Sequence, residues 1–177
     1  MVVALLGCAA CPADDGDPAI PPGPVTVATI TDWVRVKDPS VDAFADFRPT
    51  DVPCDETGVG LEPLGLSFEI KTGLCDYATV AQPTMEPLQP GDVLAVRVWH
   101  DVLEAPMPTT GYVGLAIDGE IVWHATAPIP SGVGVINGEV TIDRELPAGT
   151  ELQYHVHNHG INSWNLLDIE TKVEDQT

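Results

Sequence analysis

At 177 residues the chain is long enough for one domain with its own hydrophobic core and short for two. Hydrophobic residues make up 44% and charged residues 19%, which excludes a disordered protein, while 16 Gly and 17 Pro cut the chain into short segments and exclude long helices. A formal charge of -20, from 27 acidic against 7 basic side chains, argues against nucleic acid and anionic lipid as partners and leaves cations and neutral ligands.

The opening MVVALLGCAAC is apolar but stops at Pro12, far short of the roughly 20 residues a spanning helix needs. Leu5-Leu6-Gly7-Cys8 resembles a bacterial lipobox, which implies cleavage before Cys8 and acylation of its thiol. No Lys or Arg precedes Arg35, so residues 1–7 read either as part of a lipoprotein signal whose start lies upstream or as an accidental match. Residues 8–24 end in ADDGDPAIPPGP, the composition of a flexible tether, and residues 25–177 read as a single folded domain. The lipobox places the protein at the cell envelope, on the outer membrane or cell surface, held by lipid alone.

Cys54 and Cys75 sit in turn-like contexts, PCDETG and GLCDYA, and are the candidates for a disulfide. Such a bridge suits an oxidising compartment and contributes roughly 3 kcal/mol in the loop-entropy account. Cys11 has no assigned role.

From residue 25 onward apolar residues alternate with polar ones between turn signals. Candidate strands fall at 25–36, 66–71, 77–82, 92–100, 112–118, 121–127, 138–144, 150–157 and 163–173. Asp118-Gly119 between two apolar runs predicts a type I′ hairpin. Residues 38–65 lack a period and read as a long acidic loop pinned by Cys54. Nine short strands without crossover helices predict an all-β, two-layer β-sandwich of jelly-roll type.

The closing stretch GTELQYHVHNHGINSWNLLDI resembles the last strand pair of galactose-binding-like jelly rolls. Over residues 50–170 the chain also resembles an uncharacterised family of bacterial predicted lipoproteins with GLCxYxTVxQP, GDxxxxRxWH and HNHGxNSWNLL motifs. These stand here at residues 73–83, 91–100 and 157–167. The resemblance implies a fold and no activity.

All five histidines lie between residues 100 and 159. In His155-Val156-His157-Asn158-His159 strand alternation puts the imidazoles on one face and Tyr154 and Val156 on the other. His155 and His157, joined by His124 or His100, are therefore a candidate Zn²⁺ or Cu²⁺ site. Glu151, Gln153, His155 and His157 equally describe an ordinary solvated strand face. Gly149 with His155 and His157 matches the opening of the first cupin motif, but Ile161 and Asn162 stand where Glu is needed.

In residues 93–100, Leu94, Val96 and Val98 form the apolar face, so Arg97 and Trp99 point away from the core. They form a candidate platform for a sugar ring, with the amides of Asn158 and Asn162 as further hydroxyl partners. Trp123 and Trp164 read as core. Asp38, Asp42, Asp46 and Asp51 make Ca²⁺ conceivable without an ordered ligand spacing, and a solvated acidic surface is the default. No nucleophile elbow and no phosphate loop is visible. The expected function is thus a monomeric, lipid-anchored envelope protein that binds a glycan or small molecule without catalysis. The alternatives are a Zn/Cu-binding envelope protein and a purely structural one.

Overall fold

A computed structural model describes residues 23–172. Its strands are β1 (Val34–Arg35), β2 (Val59–Leu61), β3 (Phe68–Lys71), β4 (Tyr77–Pro83), β5 (Val93–His100), β6 (Thr109–Ile117), β7 (Glu120–Ile129), β8 (Gly134–Thr141), β9 (Glu151–His157) and β10 (Ser163–Thr171). They form two five-stranded antiparallel sheets, in the orders β1-β4-β9-β6-β7 and β2-β3-β10-β5-β8. Without the short edge strands β1 and β2, the eight remaining strands run β4-β9-β6-β7 over β3-β10-β5-β8. Successive strands change sheet except at the β6–β7 hairpin, and this alternation is the jelly roll expected from the sequence.

Period two explains which residues meet in the middle. Leu152, Tyr154 and Val156 of β9 and Val113, Leu115 and Ile117 of β6 face Leu94, Val96 and Val98 of β5 and Trp164 and Leu166 of β10, all buried in one core. Each such side chain contributes about 1.5–3 kcal/mol by leaving water. A bulge between Leu166 and Asp168 shifts the β10 register, so that Ile169 returns to the core face. Trp123 closes the gap between the edge strands β7 and β8, where its ring lies directly over Gly138, a position that a side chain would occupy. The Asp118-Gly119 hairpin forms as predicted, with φ of 53° and 78° at its two central residues.

Several boundaries depart from expectation. Residues 25–36 are not one strand: Thr26 bridges to Glu170 of β10, the chain then bends, and only Val34 and Arg35 pair with β4. Hydrogen bonds among Thr29, Thr31 and Asp32 give the backbone a local alternative to the ladder, and the Gln82 side chain clasps Thr29 at the bend. Within the expected 38–65 loop, β2 pairs with β3. Finally, β8 begins at Gly134 rather than at residue 138.

The connections β3–β4, β5–β6, β7–β8 and β9–β10 gather at one pole of the sandwich, where Leu103 bridges to Ser131. The β4–β5, β6–β7 and β8–β9 connections gather at the opposite pole, where Leu88 bridges to Leu146. No helix among the described residues is long and apolar enough to cross a membrane. Cys8, Cys11 and the residues up to 22 lie outside the described region.

Candidate ligand cleft and the buried histidine chain

The outer face of the β4-β9-β6 sheet carries Tyr77 and Thr79, then His155 and His157, then Tyr112 and Gly114. Strand register aligns Tyr77, His157 and Tyr112 in one row and Thr79, His155 and Gly114 in the next. The alternation read from the sequence therefore holds for His155 and His157, whereas His159 lies beyond the end of β9 and is exposed. The face is not solvated. Residues 38–53 lie across it, held by Ala43 N donating to Gln153 Oε1 (2.8 Å) and Gln153 Nε2 donating to the Val41 carbonyl (2.6 Å). Phe44 is buried and stacks on His155 with ring centroids 4.4 Å apart and planes 13° from parallel. Gly114 makes this possible, because a Cβ there would lie 2.6 Å from Phe44 Cε1.

Beneath this cover lies a polar chain. Asp42, read from the sequence as one of a solvated acid cluster, is buried. Its Oδ1 accepts from Phe44 N (3.0 Å) and Thr79 Oγ1 (2.9 Å), and its Oδ2 from Tyr77 OH (2.7 Å) and Arg48 Nη1 (3.0 Å). Four donors occupy both oxygens, so Asp42 has no free lone pair for Ca²⁺ and acts instead as the anchor of its loop. Asp38 spends its carboxylate on Ser40 in its own one-turn helix. From Thr79 the chain continues 2.8 Å to His155 Nδ1, and from His155 Nε2 2.7 Å to His157 Nδ1. Burial, and then His157 beside it, hold the His155 imidazole well below its usual value. Burial, and then His159, lower His157 too. Burial pushes the Tyr77 phenol up.

The expected metal site, His155 and His157 joined by His124 or His100, does not assemble. His100 belongs to the other sheet, where it is buried against Trp164 (5.2 Å) with Nδ1 2.8 Å from the Asp101 carbonyl. His124, two strands from β9, stacks flat on Tyr112 at 5.4 Å. Among the described residues no group of three His, Cys, Asp or Glu is arranged to hold a metal ion.

The expected sugar platform divides as well. Arg97 and Trp99 do lie on the outer face of the β3-β10-β5-β8 sheet, where Arg97 pairs with Asp168 through two nitrogens and Trp99 stands opposite Asn165. That is the face opposite the histidines, so Trp99 and the histidine strand share no concavity. Asn158 and Asn162 are buried and turned inward: Asn158 Oδ1 accepts from Trp164 Nε1 (3.2 Å) and Asn162 Oδ1 from Glu104 N (2.6 Å). They brace the β9–β10 turn and do not join Trp99. Trp164 is core, as expected, and Trp123 packs partly buried against it. The disulfide between Cys54 and Cys75 forms, with Cα atoms 4.0 Å apart, and ties the covering segment to the start of β4.

At the β9–β10 pole two cavities adjoin, sharing Asp76 and His159. The larger, about 700 Å³, lies among Gly73, Glu104, Pro130 and Ile161, and the smaller, about 200 Å³, among Phe47, Asp51, Tyr77 and His157. His157 thus links the buried chain to the cleft. Its ring packs against both Tyr112 (4.8 Å, 11°) and Phe47 (5.2 Å, 29°), whose rings also meet at 5.0 Å, and Phe47 is 45% exposed. Sequence reasoning missed Phe44 and Phe47 and read Asp42 as a solvated surface acid. The one signal available was a pair of phenylalanines within an otherwise polar loop.

No protein-family model matches the chain, and no curated protein matches it. Among solved structures it is similar to the carbohydrate-binding module TmCBM27, described for specific mannan recognition, at 10% identity and a TM-score of 0.48, over 87% of this chain and 98% of that one. A CBM4 module is similar at 10% identity and a TM-score of 0.46, over 85% of this chain and 94% of that one. The Agl-KA catalytic domain is similar at 9% identity and a TM-score of 0.43, over 88% of this chain and 28% of that one.

Proposed function

We propose that the domain binds a neutral carbohydrate in the cleft at the β9–β10 pole, as a monomeric module on a chain anchored to the cell envelope through Cys8. The observation that carries this is the smaller cavity, where an exposed aromatic ring, Phe47, adjoins His157 and the carboxylates of Asp51 and Asp76. A pyranose presents an apolar C–H face and a rim of hydroxyls, and this wall offers a ring for the first and acceptors for the second. The larger cavity falls within the usual range of about 300–1,000 Å³ for small-molecule sites and extends the wall for a further sugar unit. The net charge of -20 disfavours anionic ligands. A second reading keeps the ligand on the opposite sheet, since Trp99 and Arg97 stand on its outer face.

Calorimetric titration with a panel of neutral oligosaccharides, including mannan, xylan, glucan and galactan fragments, tests both. Phe47→Ala is expected to weaken a bound oligosaccharide about tenfold, equivalent to roughly 1.4 kcal/mol, with Trp99→Ala unchanged. The reverse pattern moves the site to the Trp99 face. The sugar is expected back intact after prolonged incubation, and release of shorter products would replace binding with hydrolysis. A panel without a single binder sinks the carbohydrate reading.

A further inference from the structure

The hydrogen-bond chain behind the cleft has a direction, and that direction decides what His157 offers to a ligand. Asp42 can only accept, and four donors meet it. Thr79 has a single hydroxyl proton, and the bond to Asp42 Oδ1 consumes it. Toward His155 the Thr79 oxygen is left as an acceptor, so His155 Nδ1, 2.8 Å away, must carry the proton. A neutral imidazole protonated at Nδ1 has a bare Nε2. That Nε2 lies 2.7 Å from His157 Nδ1, which must then be the donor. Both rings are kept neutral by burial. His157 Nε2 makes no hydrogen bond among the described residues and is not among the polar atoms shut off from solvent.

We propose that Asp42, acting through Thr79 and His155, locks His157 in the Nδ1–H tautomer, so that its Nε2 is a fixed hydrogen-bond acceptor in the cleft and selects ligands that present a hydroxyl donor there. The titratable and charged groups around His157 agree with this. Asp51 and Asp76 line the same cavity and also accept, Tyr77 commits its hydroxyl to Asp42 and the Phe44 carbonyl, Tyr112 stacks flat on the ring, and Arg48 is held by Asp42 over the Tyr77 ring. His159 is the other imidazole at the cavity. A carboxylate or phosphate would meet acceptors at His157, Asp51 and Asp76. A polyol hydroxyl donates into them. His157 is the contact residue, and Asp42, Thr79 and His155 are positioning residues. Only the identity of the ligand depends on the carbohydrate reading, since the tautomer is a property of the free protein.

Nitrogen-15 correlation spectra of the imidazoles at neutral pH read the tautomer directly. The ligand-free protein is expected to show His155 and His157 each with a protonated Nδ1 and a bare Nε2. A His157 protonated at Nε2 overturns the proposal whether or not any sugar binds. Thr79→Val is the second arm, with Thr79→Ser as the rescue: Val is expected to mix the His157 tautomers and Ser to restore one, and identical spectra in both overturn the coupling. A protein with the expected tautomers that binds no oligosaccharide loses the carbohydrate reading and keeps this one.

Discussion

His155 is the residue on which the cleft's chemistry turns, and its burial makes stability depend on pH. The ring sits between Phe44 and the strand, with both nitrogens bonded, and burial followed by His157 keeps it neutral well below the usual imidazole value. In the unfolded chain the same imidazole titrates near 6.5. Below that value the unfolded state binds more protons than the folded one, so the contribution of His155 is fully present above about pH 6.5 and is lost as pH falls toward the lowered folded value. His157, lowered for the same reason, adds to the slope in the same window. Urea unfolding midpoints are therefore expected to hold steady above about pH 7 and to drop between about pH 6.5 and pH 5. His155→Gln should lose part of that drop. Equal slopes for the two proteins would show that His155 is not the group responsible.

The element that matters most is the segment 38–53, which carries no regular strand yet makes an outer sheet face into a second small core. Phe44 and Tyr77 pack there with Ala116, and Asp42 joins Arg48, Tyr77 and Thr79. The Cys54–Cys75 disulfide fastens the end of this segment to the strand it covers. Reduction, or the pair of substitutions Cys54→Ser and Cys75→Ser, is expected to cost about 3 kcal/mol in the loop-entropy account. The covering segment should then become the first site of proteolytic nicking. A midpoint and a cleavage pattern untouched by reduction would mean that side-chain packing alone secures the segment.

Across the whole molecule the cleft and the first described residues lie at opposite poles. Val25 and Val27 hydrogen-bond along the end of β10, beside Thr171 and Ile169, at the pole where β5 begins. The cleft lies at the other pole, where β5 ends and β10 starts. In the proposed arrangement, with the anchor at Cys8, the chain would enter the domain at the pole opposite the cleft. Membrane fractionation of the wild type and Cys8→Ser checks the anchor: the wild type is expected with the membranes and the variant in the soluble fraction. Equal partition of both removes the lipid from the account.

The sequence by itself determined what depends on neighbours along the chain. Period two in 93–100 and 150–157 set which side chains face the core, Asp118-Gly119 set the hairpin, and turn-rich spacing between short apolar runs set the sandwich. It also placed His155 and His157 on one face and paired the two cysteines. Only the tertiary structure decided whether that face is wet or covered, because the covering contacts join residues as far apart as Val41 and Gln153, 112 positions along the chain. For the same reason the sequence could not separate His100 from the histidine strand or Trp99 from Asn158, since alternation assigns a side chain to a face without saying which sheet the face belongs to. The polarity of the Asp42–Thr79–His155–His157 chain lies further still from local reading. It follows from one proton on one threonine, and that proton has a direction only because a carboxylate 37 residues earlier is buried beside it.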